Sequence, residues 1–105
     1  MATANGDYFW EVQNPPSSFD TTGTVNFFYP VGQTPTVNSA SVISCNPTSG
    51  SATATVQTYA GASSTGVRRG LDVKWQVSVT VNLSNVTTGA DGYASGSGQV
   101  QVDYS

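Results

Sequence analysis

The sequence contains no histidine, and cysteine, lysine and glutamate occur once each. General acid–base catalysis uses histidine most often, and an activated nucleophile needs a base beside it. Zinc, iron and haem sites need clusters of histidine or cysteine. We therefore expect no enzymatic activity and no site for these metals. The single Cys45 excludes an internal disulfide, and its position beside Ile43 predicts a buried, inert thiol.

Charge and long apolar runs are also scarce. Charged residues make up 9% of the chain, against roughly 25% in ordinary domains, and the net charge is −3. Such a chain lacks the basic surface that nucleic acid needs, and no apolar run approaches the ~20 residues of a membrane span. The segment 1–7 has neither the basic nor the apolar region of a secretory signal. We therefore expect a cytoplasmic protein with no nucleic-acid or membrane partner.

Small polar residues and valine dominate what is present. The 105 residues include 14 Ser, 14 Thr, 11 Gly and 7 Asn, and 14 Val stand against 2 Leu and 1 Ile. Valine, threonine and aromatic residues suit a pleated sheet, whereas good helix formers are nearly absent. The composition predicts one all-β domain over residues 1–105.

Alternation of apolar and polar residues locates the strands. Residues 73–83 alternate strictly, with Val, Trp and Leu on one face, which predicts a central core strand. A weakly apolar segment, 52–59, has the pattern of an edge strand, and 36–45 has an uneven period that indicates a bulge or two short strands. The other predicted strands cover 8–12, 23–29 and 99–104, the last of these paired antiparallel with the central strand.

These short strands and the turns between them predict an antiparallel two-sheet sandwich, Ig-like or jelly-roll-like, of six to eight strands. The small-residue stretch 60–66 is expected to form a flexible loop. The predicted core consists of Phe9, Val12, Val25, Phe27, Val42, Val56, Trp75, Val77, Val79, Val81, Val100 and Val102.

One candidate site would bind protein. Arg68 and Arg69 stand between glycines after the predicted loop, and paired guanidinium groups can hold carboxylates of another chain. Asp20, Asp72 or Asp103 of a neighbouring copy would be the acceptor. Phe28 lies between two other aromatic residues on one strand, so at least one ring must leave a one-sided core, which indicates a second buried surface. A solvated turn is the alternative for the arginines.

A second set of candidates would bind sugar or calcium. Exposed aromatic rings act as platforms for sugars, and the candidates at strand ends or in loops are Tyr8, Trp10, Phe28, Tyr59 and Tyr93. Calcium prefers oxygen ligands, which Asp91, with Asn85, Thr87 and Thr88, would offer in one turn. The alternative is that Asp91 and Gly92 simply form a turn.

Two resemblances bear on function. Residues 91–102, DGYASGSGQVQV, resemble the closing hairpin of small calcium-dependent bacterial lectins, although those lectins have paired Asn or acidic residues where this chain has Ser95 and Gly96. That resemblance implies a calcium role for Asp91 alone. In overall composition the chain resembles the small decoration and fibre proteins of tailed-phage virions. This resemblance implies a non-enzymatic module, homo-oligomeric or docked on a larger symmetric assembly, with a sugar-binding lectin as the alternative.

Overall fold

The computed structural model describes residues 2–105, which form seven antiparallel strands and no helix. The strands are β1 (Ala2–Gln13), β2 (Phe19–Pro30), β3 (Val37–Ser49), β4 (Ser51–Tyr59), β5 (Ser63–Arg69), β6 (Asp72–Thr87) and β7 (Tyr93–Tyr104). Nothing in this range is a helix with the length and hydropathy of a membrane span. The all-β class and the number of strands are therefore confirmed.

The strands form one hydrogen-bonded sheet that nearly closes on itself. Their order is β3-β7-β1-β2-β6-β4, and β5 pairs with the first part of β6. The β1–β2 ladder has only two residue pairs, Gly6 with Val25 and Asp7 with Thr24. A Cβ on Gly6 would overlap the Thr24 carbonyl oxygen, so only glycine permits this close crossing.

The strands β3 and β4, at the two ends of this order, face each other across the remaining gap. The Tyr59 hydroxyl donates to the Asn38 carbonyl at 3.2 Å, and the Cys45 thiol lies 3.7 Å from the Ala52 carbonyl oxygen. These side-chain contacts, rather than a backbone ladder, join the two strands within residues 2–105. The architecture is thus closer to an open barrel than to two separate sheets.

Strand β6 supplies the largest part of the core, as its alternation predicts. Val77, Val79, Val81 and Leu83 are completely buried, whereas the residues between them face outwards. β6 pairs with β2 on one edge and with both β4 and β5 on the other, so it is central. Of the predicted core, Val25, Phe27, Val100 and Val102 are also buried, and Val12, Val42, Val56 and Trp75 are half-buried.

The prediction that Phe9 belongs to the core is wrong. Tyr8 and Trp10 point inwards with 0% and 5% of their surface exposed, and Phe9 points outwards with 73% exposed. The inner space for the two large rings comes from glycines on β7. A Cβ on Gly98 would lie 2.5 Å from the Tyr8 hydroxyl oxygen, and one on Gly96 would lie 2.5 Å from the Trp10 ring. The large side chains on β1 therefore fill the space that the glycines leave on β7.

Two further expectations are corrected. β7 pairs with β1 and β3, not with the central strand β6, because residues 88–92 pass beside the turn between β3 and β4 and lead the chain to the other half of the sheet. The stretch 60–66 is only partly a loop, since β5 begins at Ser63 and pairs with Gln76 of β6. Pairing with the strong strand β6 orders residues whose own sequence shows no strand pattern.

Strand β3 has the irregularity that its uneven period predicts. Its ladder with β7 shifts register three times, between Val37 and Ser39, between Val42 and Ser44, and between Pro47 and Ser49. Cys45, predicted buried, is half-buried, and Ile43 faces solvent. The edge position predicted for 52–59 is confirmed, because β4 is the last strand of the order.

Candidate functional site

The outer face of β1, β7 and β3 carries a patch of polar residues around one exposed ring. We call this surface the Phe9 face. In its middle row, Phe9 lies opposite Ser97, which lies opposite Asn46. Directly opposed residues on neighbouring strands have Cβ atoms about 5 Å apart. The ring is thus bordered on one side by a hydroxyl and an amide.

Carboxylates flank the ring along β1. Asp7 and Glu11 lie two residues before and after Phe9 on the same face, about 7 Å away along the strand at about 3.4 Å per residue. Each borders a shallow groove that includes the ring. The groove on the Asp7 side has about 520 Å³ and reaches Gln99, and the groove on the Glu11 side has about 480 Å³ and reaches Thr48.

The polar side chains of the Phe9 face are held by one another. Gln99 Nε2 donates to Asp7 Oδ1 at 3.3 Å, and the Gln99 backbone N–H donates to the Ser44 hydroxyl at 2.9 Å. The Thr48 and Ser95 hydroxyl oxygens are 3.0 Å apart. These bonds fix donors and acceptors in place without filling their hydrogen-bonding capacity. Among the described residues, no lysine or arginine lines either groove.

Beneath the first groove, Tyr8 anchors the sheet. Its hydroxyl donates to the Ser44 carbonyl at 2.7 Å, which joins β1 to β3 across β7. Burial raises the pKa of the Tyr8 phenol well above its usual value, and the neighbouring Cys45 thiol raises it further. Tyr8 therefore remains neutral and acts as a structural donor rather than as a proton carrier.

A second surface lies at the end of the β2–β6 ladder where Pro30 pairs with Asp72, in a molecule whose Cα extents are 51 × 21 × 16 Å. We call it the β5 tip: Phe28, Val31, Arg68, Arg69 and Leu71. The Arg69 guanidinium carbon lies 5.6 Å from the centre of the Phe28 ring, a cation–π distance. The structure thus brings together two of the three predicted protein-binding residues.

The β5 tip is also apolar and exposed. All residues of β5 are exposed, and Leu71 in the turn before β6 has 88% of its surface exposed. The Val31 N–H donates to the Leu71 carbonyl at 3.1 Å, so the two turns that carry these apolar side chains are joined by a backbone hydrogen bond. Arg68 lies opposite Val73 in the ladder. The sequence does not single out Leu71, because it is an isolated leucine between Gly70 and Asp72 and belongs to no alternating pattern.

The acidic residues proposed as acceptors differ in environment. Asp72 lies opposite Arg69 in the ladder of the same chain. Asp20 accepts from the Asn82 side chain at 2.9 Å. Asp103 is half-buried, and its Oδ1 is buried without a hydrogen-bond partner among the described residues.

The predicted sugar platforms are not all available. Tyr8 and Trp10 are core residues, stacked on each other with ring centres 6.0 Å apart, so neither offers a free ring face. The structure thereby contradicts that role for both. Tyr59 is 40% exposed and Tyr93 is half-buried, and for them the role stays a prediction. Phe28 is partly covered by Arg69.

The calcium candidate has a structural role. The Asp91 Oδ1 accepts from the Ser49 hydroxyl at 2.7 Å and from the Tyr93 N–H at 3.0 Å. These bonds, that of Ser49 first, hold the pKa of Asp91 below its usual range. Gly92 has a φ of 79°, and its N–H donates to the Gly89 carbonyl, as in a turn. Between residues 2 and 105, no group of three or more acidic, histidine or cysteine side chains could hold a metal ion.

Phe9 is the binding candidate that the sequence analysis missed. It lies within a run of three aromatic residues, 8–10, so alternation alone does not decide which rings face inwards. The signal lies elsewhere in the chain, in the alternating glycines 96 and 98, which make room for Tyr8 and Trp10 and therefore place Phe9 outside.

The chain was compared with protein-family models, with curated proteins and with solved structures, and none of the three comparisons finds a match.

Proposed function

We propose that the chain is a non-enzymatic structural module that docks on a larger symmetric assembly, as a decoration or accessory protein of a tailed-phage virion does. The observation that supports this most is the β5 tip. There, Leu71 is 88% exposed at the end of a hairpin whose strand β5 is exposed at every residue. Exposed apolar side chains grouped on one surface are typical of sites that a protein partner covers.

The chemistry of the β5 tip fits a protein partner. Covering a leucine side chain stabilises a complex by about 1.5–3 kcal/mol, and arginine is enriched at interfaces because its planar fork binds carboxylates. The Phe28 ring holds Arg69 near the surface, so less of that side chain's freedom is lost on binding. Arg68 and Arg69 would pair with acidic groups of the partner or of a second copy of the chain.

The fold suits such a module. The long ladders of β6 with β2 and of β7 with β1 make an elongated molecule, 51 Å in its longest extent, and the β5 tip lies at the end of the β2–β6 ladder. The β1–β2 ladder is short, so we infer that within this nearly closed sheet the halves β3-β7-β1 and β2-β6-β4 face each other as the two layers of a sandwich do. On this proposal the chain is made in the cytoplasm and is carried on the virion.

Co-sedimentation tests the proposal. Tailed-phage particles are prepared from the strain that carries the gene, in a form that lacks the chain. Purified chain is then added, and the bound copies are counted after the particles are pelleted. The wild type should saturate at a copy number set by the particle symmetry. Leu71→Ser, and Arg68→Ala combined with Arg69→Ala, should each weaken binding at least about tenfold.

Ile43→Ser is the matched control, because Ile43 is an exposed apolar residue on β3 outside the β5 tip. It should bind like the wild type. Absence of saturable binding to the particles would contradict the proposal, as would equal binding by the Leu71 and Ile43 variants.

A further inference from the structure

The geometry points to the Phe9 face as a binding site for a neutral glycan, independent of calcium. This inference does not depend on the proposed docking function, because it concerns a different surface with different residues. The following observations carry it.

The first is the exposed ring. Phe9 has 73% of its surface exposed, although it lies in the middle of a twelve-residue strand and both grooves share it. A phenyl ring on this polar surface offers a flat apolar face that a ligand can cover. The C–H face of a pyranose ring is a flat apolar surface that fits it.

The second is the set of polar groups beside the ring. Sugar hydroxyls are hydrogen-bond donors as well as acceptors, and carboxylates are the strongest acceptors in proteins. Asp7 and Glu11 place one carboxylate on each side of Phe9, roughly 14 Å apart along β1 at about 3.4 Å per residue. The Asn46 and Gln99 amides add donors on the neighbouring strands. The arrangement offers acceptors at both ends of the ring and donors at its side.

The third is charge. Two carboxylates and no cationic side chain among the described residues line the grooves, so a phosphate, sulfate or sialic acid would be repelled. A second copy of the chain is also disfavoured, because a two-fold contact centred on Phe9 would bring each pair of carboxylates towards the same pair in the other copy. A neutral ligand rich in hydroxyls meets neither penalty.

The fourth is the backbone. In the middle of the face, β7 is paired on both edges over residues 95–104, and on the β2 side of β1 the Phe9 carbonyl already accepts a hydrogen bond from the Thr21 hydroxyl at 2.8 Å. An extended peptide therefore finds no free backbone ladder at the ring. Recognition around the ring therefore relies on side chains. The Asp91 loop does not line either groove, so we expect binding here to be the same with and without calcium.

A glycan array gives the first test. Purified chain is screened against neutral oligosaccharides of glucose, galactose, mannose and N-acetylglucosamine, and against sulfated and sialylated forms of the same sugars, with calcium and with a chelator. We expect binding to neutral glycans only, with the same signal in both conditions. A blank array for neutral glycans, a preference for anionic forms, or loss of signal with chelator would overturn the inference.

Calorimetric titration of the strongest neutral oligosaccharide then tests the residues. Phe9→Ala should weaken binding about tenfold or more, whereas Phe9→Tyr should retain affinity within about threefold, because it keeps a ring face. Ile43→Ala, an exposed apolar residue outside both grooves, is the control and should bind unchanged. Equal affinities for Phe9→Ala and the control would overturn the assignment.

Two measurements keep this outcome clear. Phe9→Ala removes a mostly exposed side chain, so its thermal midpoint should stay within about 2–4 °C of the wild type, and a loss of binding then cannot come from unfolding. Sedimentation velocity of the wild type and Phe9→Ala should show the same species. A dimer that disappears in Phe9→Ala would assign the ring to a contact between copies and overturn the glycan site.

Discussion

Substitution of Gly98 by alanine should destabilise the fold strongly, because its inner face is occupied by other atoms. The new Cβ would overlap the Ser44 carbonyl oxygen of β3 and would lie 2.5 Å and 2.6 Å from the Tyr8 hydroxyl oxygen and Cζ. Overpacking of a core costs about 1–3 kcal/mol, and loss of the Tyr8–Ser44 hydrogen bond costs about 1 kcal/mol more. We therefore expect a loss of about 2–4 kcal/mol in the free energy of unfolding.

Urea and thermal unfolding followed by circular dichroism measure this loss. At about 4–8 °C for each kcal/mol, the thermal midpoint of Gly98→Ala should fall by roughly 8–30 °C. Gly61→Ala is the matched control, since a Cβ on Gly61 meets nothing within 4 Å, and its stability should stay within about 0.5 kcal/mol of the wild type. A Gly98→Ala variant as stable as Gly61→Ala would refute the packing of Tyr8 against the β7 glycines.

Other predictions concern titration and calcium. Because the pKa of Tyr8 is raised in the folded state, its contribution to stability is complete below pH 10 and is lost as the pH rises further. Above pH 10, the wild type should therefore lose stability more steeply than Tyr8→Phe. The same dependence of urea unfolding on pH in both proteins would contradict this. NMR titration should find the Asp91 pKa below its usual range in the wild type and higher in Ser49→Ala than in the wild type. The same Asp91 pKa in both proteins would contradict the bond to Ser49. Millimolar calcium should leave the thermal midpoint unchanged, and a rise abolished by Asp91→Asn would show a calcium site.

The parts of the fold that follow from one strand's own pattern could be predicted from the sequence. Strand β6 is the strongest case, because Val77, Val79, Val81 and Leu83 alternate along the strand and so share one face, which is buried. The edge position of β4 follows from its small, weakly apolar residues in the same way. Composition alone gives the all-β class.

The parts that depend on pairing between distant segments could not be predicted. The inward phase of Tyr8 and the outward phase of Phe9 are set by Gly96 and Gly98, about 90 residues later, and only the β1–β7 register connects them. The strand β5 is formed by its pairing with β6 and carries no pattern of its own. Both candidate surfaces depend on these long-range pairs, so the sequence singles out Arg68, Arg69 and Phe28 as candidates but neither Phe9 nor Leu71.

The orientation of the chain on a particle tests the central claim most directly. Cryo-electron microscopy of particles with and without the bound chain gives a difference map in which a rod 51 Å long can be oriented. We predict density at symmetry-related positions, with the β5 tip against the particle and the Phe9 face open to solvent. Density with the opposite end or the Phe9 face against the particle, or no ordered difference density, would contradict the account.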